Sequence, residues 1–157
     1  MKQITVVKEF LFDSAHYLPD YDGDCCHLHG HTYKLEVGVT GPVKPNTGMV
    51  VDFKQLKTIV KLITDKLDHS LLNDLDMVLP KVEGDKIDAS TLSEEKCIET
   101  SPPNPPPFPK DMPTAENMVV WLTEALPHLL RIYYKPCYEI TLVRLWETPT
   151  SYAEWRK

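Results

Sequence analysis

No apolar run in this 157-residue chain approaches the roughly 20 residues that cross a bilayer, so no helical membrane span is expected. The opening stretch, MKQITVVKEFLF, carries an early lysine but no uninterrupted apolar segment, and no secretory signal is expected either. Cationic excess is missing as well. Seventeen Lys and Arg against 23 Asp and Glu leave a formal net charge of -6, which speaks against coating nucleic acid, because a phosphate backbone needs a basic face. A small anionic ligand stays compatible, since a few local cations reverse the field inside a pocket. Glycine is scarce, and no Gly-rich phosphate loop is present, so no Lys or Arg is singled out as a phosphate contact. The cysteines Cys25, Cys26, Cys97 and Cys137 accompany no export signal, so free thiols and a cytoplasmic location are expected rather than a disulfide framework. Bonding Cys25 to Cys26 would also close a strained ring. No internal repeat is present.

What remains is an ordinary globular composition, 42% hydrophobic and 25% charged, at a length that suits one domain with a real core. Residues 3–12 are rich in β-branched and aromatic types and read as a strand. From Thr32 to Thr40, Tyr33, Leu35, Val37 and Val39 alternate with polar positions, the pattern of a half-buried strand. After the turn residues of GPVKPNTG, Phe53, Leu56, Val60, Ile63 and Leu67 recur at helical spacing, with Asp52 and Gln55 in a capping-box pattern. A second helix is predicted from Thr114, carrying Ala115, Met118, Leu122, Leu126 and Leu129 inward. In CYEITLVRLWE, Tyr138, Ile140 and Leu142 alternate against Glu139, Thr141 and Val143 as a further strand, and SYAEWRK reads as a last short one. Residues from about 77 to 112 lack periodicity and end in SPPNPPPFPKDMP, too dense in proline for a helix or a central strand. That segment reads as a passive insertion, because long loops cost little entropy, or as a lid over a pocket. The order of elements gives α+β, an antiparallel sheet covered on one face.

The stretch CCHLHGH concentrates the candidate chemistry. In extended backbone His27, His29 and His31 share one face, with neighbours about 6.6 Å apart at Cα and the outer pair about 13 Å. Zinc–nitrogen bonds of about 2.0–2.1 Å let two adjacent members meet one ion, and a third ligand must come from elsewhere. His16, in FDSAH, follows the first strand as His29 and His31 precede the second, so a hairpin would bring it near. Three histidines with an open position suit a catalytic zinc, whereas a site closed with Cys25 or Cys26 would be structural. Spacing alone does not choose between the pairs His27/His29 and His29/His31.

The motifs FDSAH, CCHLHGH, GMVVDF, LDHSLLND, PTAEN and ETPTSYAEWR, in that order, resemble those of the 6-pyruvoyltetrahydropterin synthase family, and most of all its bacterial 6-carboxytetrahydropterin-forming members of the queuosine and deazapurine pathway. The resemblance covers nearly the whole chain outside residues 77–112. It implies the tunnelling fold, a four-stranded antiparallel sheet with two helices on one face, assembled through trimers into hexamers. It implies zinc held by His16, His29 and His31, with His27 outside the ligand set, and catalysis by Cys25 with the pair Asp68 and His69. Cys25 lies four positions before the first histidine of HGH, an offset that favours the carboxy-forming activity. Glu147, in ETPT, is implied as the anchor of the pterin, whose ring N–H and exocyclic amine a carboxylate accepts together.

The implied substrate is 7,8-dihydroneopterin triphosphate and the implied products are 6-carboxy-5,6,7,8-tetrahydropterin, acetaldehyde and triphosphate. The alternatives are a pyruvoyl-forming synthase on the same substrate, and a zinc- or pterin-binding protein without turnover. Two features depart from the family pattern: the second thiol and extra imidazole at Cys26 and His27, and the Pro-rich insertion. Cys97 and Cys137 are read as small or weakly polar fillers, and His128, after Pro127, as structural or exposed.

Overall fold

A computed structural model describes residues 2–80, 104–133 and 138–157, so Cys97, Cys137 and most of the Pro-rich insertion lie outside the described residues. The chain runs β1 (Gln3–His16), β2 (His29–Pro42), α1 (Phe53–Leu67), β3 (Ser70–Leu71), α2 (Ala115–Tyr133), β4 (Glu139–Thr148) and β5 (Ser151–Arg156). The strands form one sheet in the order β3-β1-β2-β4-β5. The four long strands are antiparallel, as expected. The count of four is corrected to five, because the two residues of β3 pair in parallel with Ser14 and Ala15. A two-residue strand carries no period-2 signal, which is why sequence patterning passes over it. Among the described residues, no helix is long and apolar enough to cross a membrane.

Both helices lie on one face of the sheet, α1 over β1 and α2 over β4 and β5. Leu56, Ile59, Val60, Ile63 and Leu67 of α1 join Met118, Leu122, Leu126 and Leu129 of α2 and the inward side chains of the strands in one apolar cluster. Asp52 caps α1 by accepting from Lys54 N–H at 2.8 Å, one position short of the residue a capping box would use. Thr114 is the cap of α2 rather than its first residue, its hydroxyl accepting from Asn117 N–H at 3.3 Å. The described ends of the insertion pack on this helical side. His128, buried as a structural residue, bonds the Pro80 carbonyl at 2.8 Å, and Trp121 donates to the Pro106 carbonyl at 2.9 Å while stacking edge-on against Phe108.

The strands β1 and β2 are both longer than their predicted cores, and the extra length matters. It pairs His16 with His29 and Ser14 with His31, so HGH belongs to the sheet itself. Strand β4 departs from the simple alternation. Gly38 pairs with Leu142 but Val39 pairs with Ile140, which leaves Thr141 as an extra residue in a β-bulge. Beyond the bulge the phase is reversed: Val143 and Leu145 oppose Val37 and Leu35 on the core face, and Leu142 turns to the other face. The bulge needs a residue without a side chain opposite it. A Cβ built on Gly38 would stand 2.7 Å from the Cβ of Leu142. We therefore expect Gly38→Ala to cost about 1–3 kcal/mol, the range for overpacking a filled interior. The urea midpoint reads this directly, and an unchanged midpoint would show that the two strands part there freely.

Candidate metal centre and active site

His16, His29 and His31 converge at the end of the sheet where β1 and β2 meet. Register puts all three on the helix-covered face, above Tyr33, which is fully buried. Ring centroids are 4.6 Å apart for His16 and His29, 5.2 Å for His16 and His31, and 5.0 Å for His29 and His31. One nitrogen from each ring lies within 4.8 Å of the others.

The outer nitrogens show which atoms face inward. His16 Nδ1 lies 2.9 Å from the Pro113 carbonyl, and His29 Nδ1 lies 2.7 Å from the His27 carbonyl. A carbonyl only accepts, so each Nδ1 donates, and in the neutral tautomer that does so the Nε2 lone pair is free for the centre. Second-shell carbonyls orient metal-binding imidazoles in this way. His27 thus enters the site through its backbone, and its ring takes no part in the group.

Among the described residues nothing satisfies the centre. Nε2 of His16 and of His31 are buried without a hydrogen-bond partner. Glu147 Oε1 stands 3.6 Å from the first and 3.9 Å from the second. Lone pairs of imidazoles and a carboxylate facing one another repel unless a cation lies between them. Burial holds the imidazolium of His31 below its ordinary range, against the pull of Glu147, and the neighbouring His16 and His29 add to the lowering. A neutral imidazole is the form that ligates a metal. The donor set fits a divalent ion held by three histidines.

Glu147 reaches this position through the bulge. It lies one residue beyond the Lys34–Trp146 pair, on the same face as Tyr33. The carboxylate is therefore beside the histidines. Burial, and then the nearby Glu147 charge, push the Tyr33 phenol far above its ordinary range, and its hydroxyl has no partner.

The pair Asp68 and His69 is built differently. Asp68 ends α1, and its Oδ1 accepts from Asp13 N–H at 2.8 Å. His69 follows with a left-handed φ of 56°, which turns the chain out of the helix into β3. Its N–H donates to the Asp13 carbonyl at 2.6 Å, and its ring Nδ1 lies 2.9 Å from Asp68 Oδ2. The Asp13 N–H and then the His69 ring hold the Asp68 carboxyl below its ordinary range, so it stays ionised to orient the imidazole. His69 is 79% exposed at the side chain. Asp13, whose side chain bonds Thr32 on the uncovered face, is the residue that sequence reasoning missed here.

The two groups sit at one end of the sheet, the imidazoles of the first under the helices and the pair with Asp13 on the open face. Between them lies a cleft of about 550 Å³ lined by Asp13, Gly30, His31, Thr32 and His69, among others. Cys25 and Cys26 are free and half-buried in a single 3-10 turn, where the Cys25 carbonyl takes Leu18 N–H at 2.8 Å. Among the described residues, no cysteine joins either group that could hold a metal.

A protein of Haemophilus influenzae named 6-carboxy-5,6,7,8-tetrahydropterin synthase is 35% identical over 156 residues, covering 97% of this chain and 98% of its own. One of Pyrococcus horikoshii, named as a putative enzyme of that activity, is 34% identical over 144 residues, covering 91% and 83%. The structure of Caenorhabditis elegans 6-pyruvoyl tetrahydropterin synthase superposes with a TM-score of 0.68 at 22% identity, covering 100% of this chain and 97% of that one, which shows a shared fold. The family model described as 6-pyruvoyl tetrahydropterin synthase matches residues 5–157, and with these relatives it establishes that the chain belongs to the 6-pyruvoyl tetrahydropterin synthase family.

Proposed function

We propose that this chain is a zinc-dependent lyase that converts 7,8-dihydroneopterin triphosphate to 6-carboxy-5,6,7,8-tetrahydropterin, acetaldehyde and triphosphate, in queuosine and deazapurine biosynthesis in the cytoplasm. The observation that carries the reading is the convergence of ring nitrogens from His16, His29 and His31, with Nε2 of His16 and of His31 buried and unpartnered among the described residues. The name of the Haemophilus relative supports the product assigned. A Cys/His structural clip is disfavoured, because neither cysteine lies with the ring nitrogens.

His16, His29 and His31 would hold the zinc. When bound, it supplies Lewis acidity that acidifies substrate hydroxyls and steadies developing negative charge. Cys25 takes and returns protons along the substrate side chain. His69, oriented by Asp68, carries protons near neutral pH. Glu147 accepts N–H donors of the pterin. Because its carboxylate already faces the histidines, the substrate binds close against them.

Assembly follows from two edges. Among the described residues, β5 has a neighbour on one side only, and β1 before Ser14 has none beyond β2. Joining such edges around a ring of chains satisfies them, and trimers stacking into hexamers would repeat one composite site at each contact.

The test is product analysis by mass spectrometry on 7,8-dihydroneopterin triphosphate. The carboxy product with acetaldehyde supports the reading, a pyruvoyl product moves the chain to the other activity, and no turnover by zinc-loaded protein refutes an enzyme. In the same assay Cys25→Ala should keep zinc and lose turnover by roughly 10²–10⁴-fold, the range for a general acid–base group. A dead Cys26→Ala beside an active Cys25→Ala would reverse the two thiols.

A further inference from the structure

His16 is the terminal joint of the three-histidine group. His29 and His31 stand two apart on one strand and keep their relative placement through the ladder. His16 is the last residue of β1, and its pairing with His29 is the last of that ladder. Beyond it the backbone leaves the sheet, and strand ends open easily when nothing else ties them.

Leu18 N–H is held by the Cys25 carbonyl, and the residue between it and His16 is tied by one side chain, Asn73, in the turn that follows β3. Its Oδ1 accepts from Tyr17 N–H at 2.9 Å, and its Nδ2 donates to the Tyr17 carbonyl at 2.9 Å. Both polar backbone groups of the residue next to His16 are thereby held. The same Nδ2 donates to the Lys110 carbonyl at 3.3 Å. Lys110 lies three residues before Pro113, whose carbonyl orients the His16 ring. One carboxamide thus joins the peptide after His16 to the arm that carries its ring acceptor. A carboxamide alone among side chains of this size offers the acceptor and the donors these partners need.

We propose that Asn73 is a positioning residue for the metal centre, fixing His16 against His29 and His31 by linking Tyr17 to the arm ending at Pro113. It contacts none of the three rings. The inference rests on the three-histidine reading, and it gives the described end of the Pro-rich insertion a role in the site.

The experiment measures zinc affinity by chelator competition in the intact protein, with visible absorption at saturating cobalt as a second readout. Asn73→Asp is nearly isosteric and keeps the bond from Tyr17 N–H but sets a carboxylate oxygen against two carbonyls; Asn73→Ala removes all three bonds. Trp121→Phe, which breaks the Pro106 bond on the same arm, controls for general loosening. Asn73→Asp and Asn73→Ala should each weaken zinc roughly 10–100-fold, the usual cost of a lost outer-shell partner, and change the cobalt bands, while Trp121→Phe stays within about twofold. Should Asn73→Ala fail to fold, Asn73→Asp carries the test. Parent-like affinity and bands in Asn73→Asp overturn the inference alone, as does an equal loss in Trp121→Phe. A parent protein that binds no zinc overturns the three-histidine reading and takes this inference with it.

Discussion

His16→Ala should strip zinc from the protein and abolish turnover, while His27→Ala should retain stoichiometric metal. The ring lost in the first case is 2% exposed and supplies one of three inward nitrogens. The two that remain come from a single strand and cannot enclose an ion. Loss of an outer-shell partner already costs roughly 10–100-fold in affinity, so loss of a ligand should exceed that range. His27 contributes only its carbonyl, 2.7 Å from His29 Nδ1, and alanine keeps that carbonyl. Metal analysis after gel filtration decides the matter. Stoichiometric zinc in His16→Ala with loss in His27→Ala would replace this ligand set by another.

Mixing two dead proteins should bring activity back. Cys25→Ala and His69→Ala, each inactive alone, are unfolded together and refolded. The physical ground lies within one chain: the metal-facing imidazoles are on the covered face, whereas the Asp68–His69 pair stands with Asp13 on the open one. A neighbouring chain, presenting its own open face, could complete the covered site. If each site draws its cysteine from one chain and its histidine from the next, random mixing restores about one interface in four. Activity near that fraction supports a shared site. No recovery in confirmed mixed oligomers would place both groups in one chain.

Much of this site was legible in the sequence because ladder geometry is simple. Alternation at Tyr33, Leu35, Val37 and Val39 placed β2, and extending the same phase back through HGH puts His31 and His29 on the core face. The reach argument required a ligand from outside that strand, and His16 meets it. The choice of His29/His31 over His27/His29 came from motif order, and spacing did not contain it. That Glu147 shares the face of the histidines was not legible, because the Thr141 bulge is invisible to a period-2 reading. Asn73, Pro113 and Asp13 escaped for another reason. Their contributions are made through amides and carbonyls to residues distant in sequence, and no side-chain pattern records where a backbone group will find its partner.

The bulge makes β4 a strand with two reading frames. Counted from Glu139, Glu147 belongs with Val143 and Glu139; counted from Leu142, it belongs with Tyr33 and the imidazoles. What aims the carboxylate is the phase that begins with Val143 opposite Val37. Side chains at Thr141 or Leu142 can vary in kind with only local effects. Deleting Thr141 would leave Ile140 opposite Val39 and Leu142 opposite Gly38 in plain alternation, so Glu147 would keep its face; a one-residue insertion between Val143 and Trp146 would instead turn the Trp146 indole to the histidines and Glu147 away.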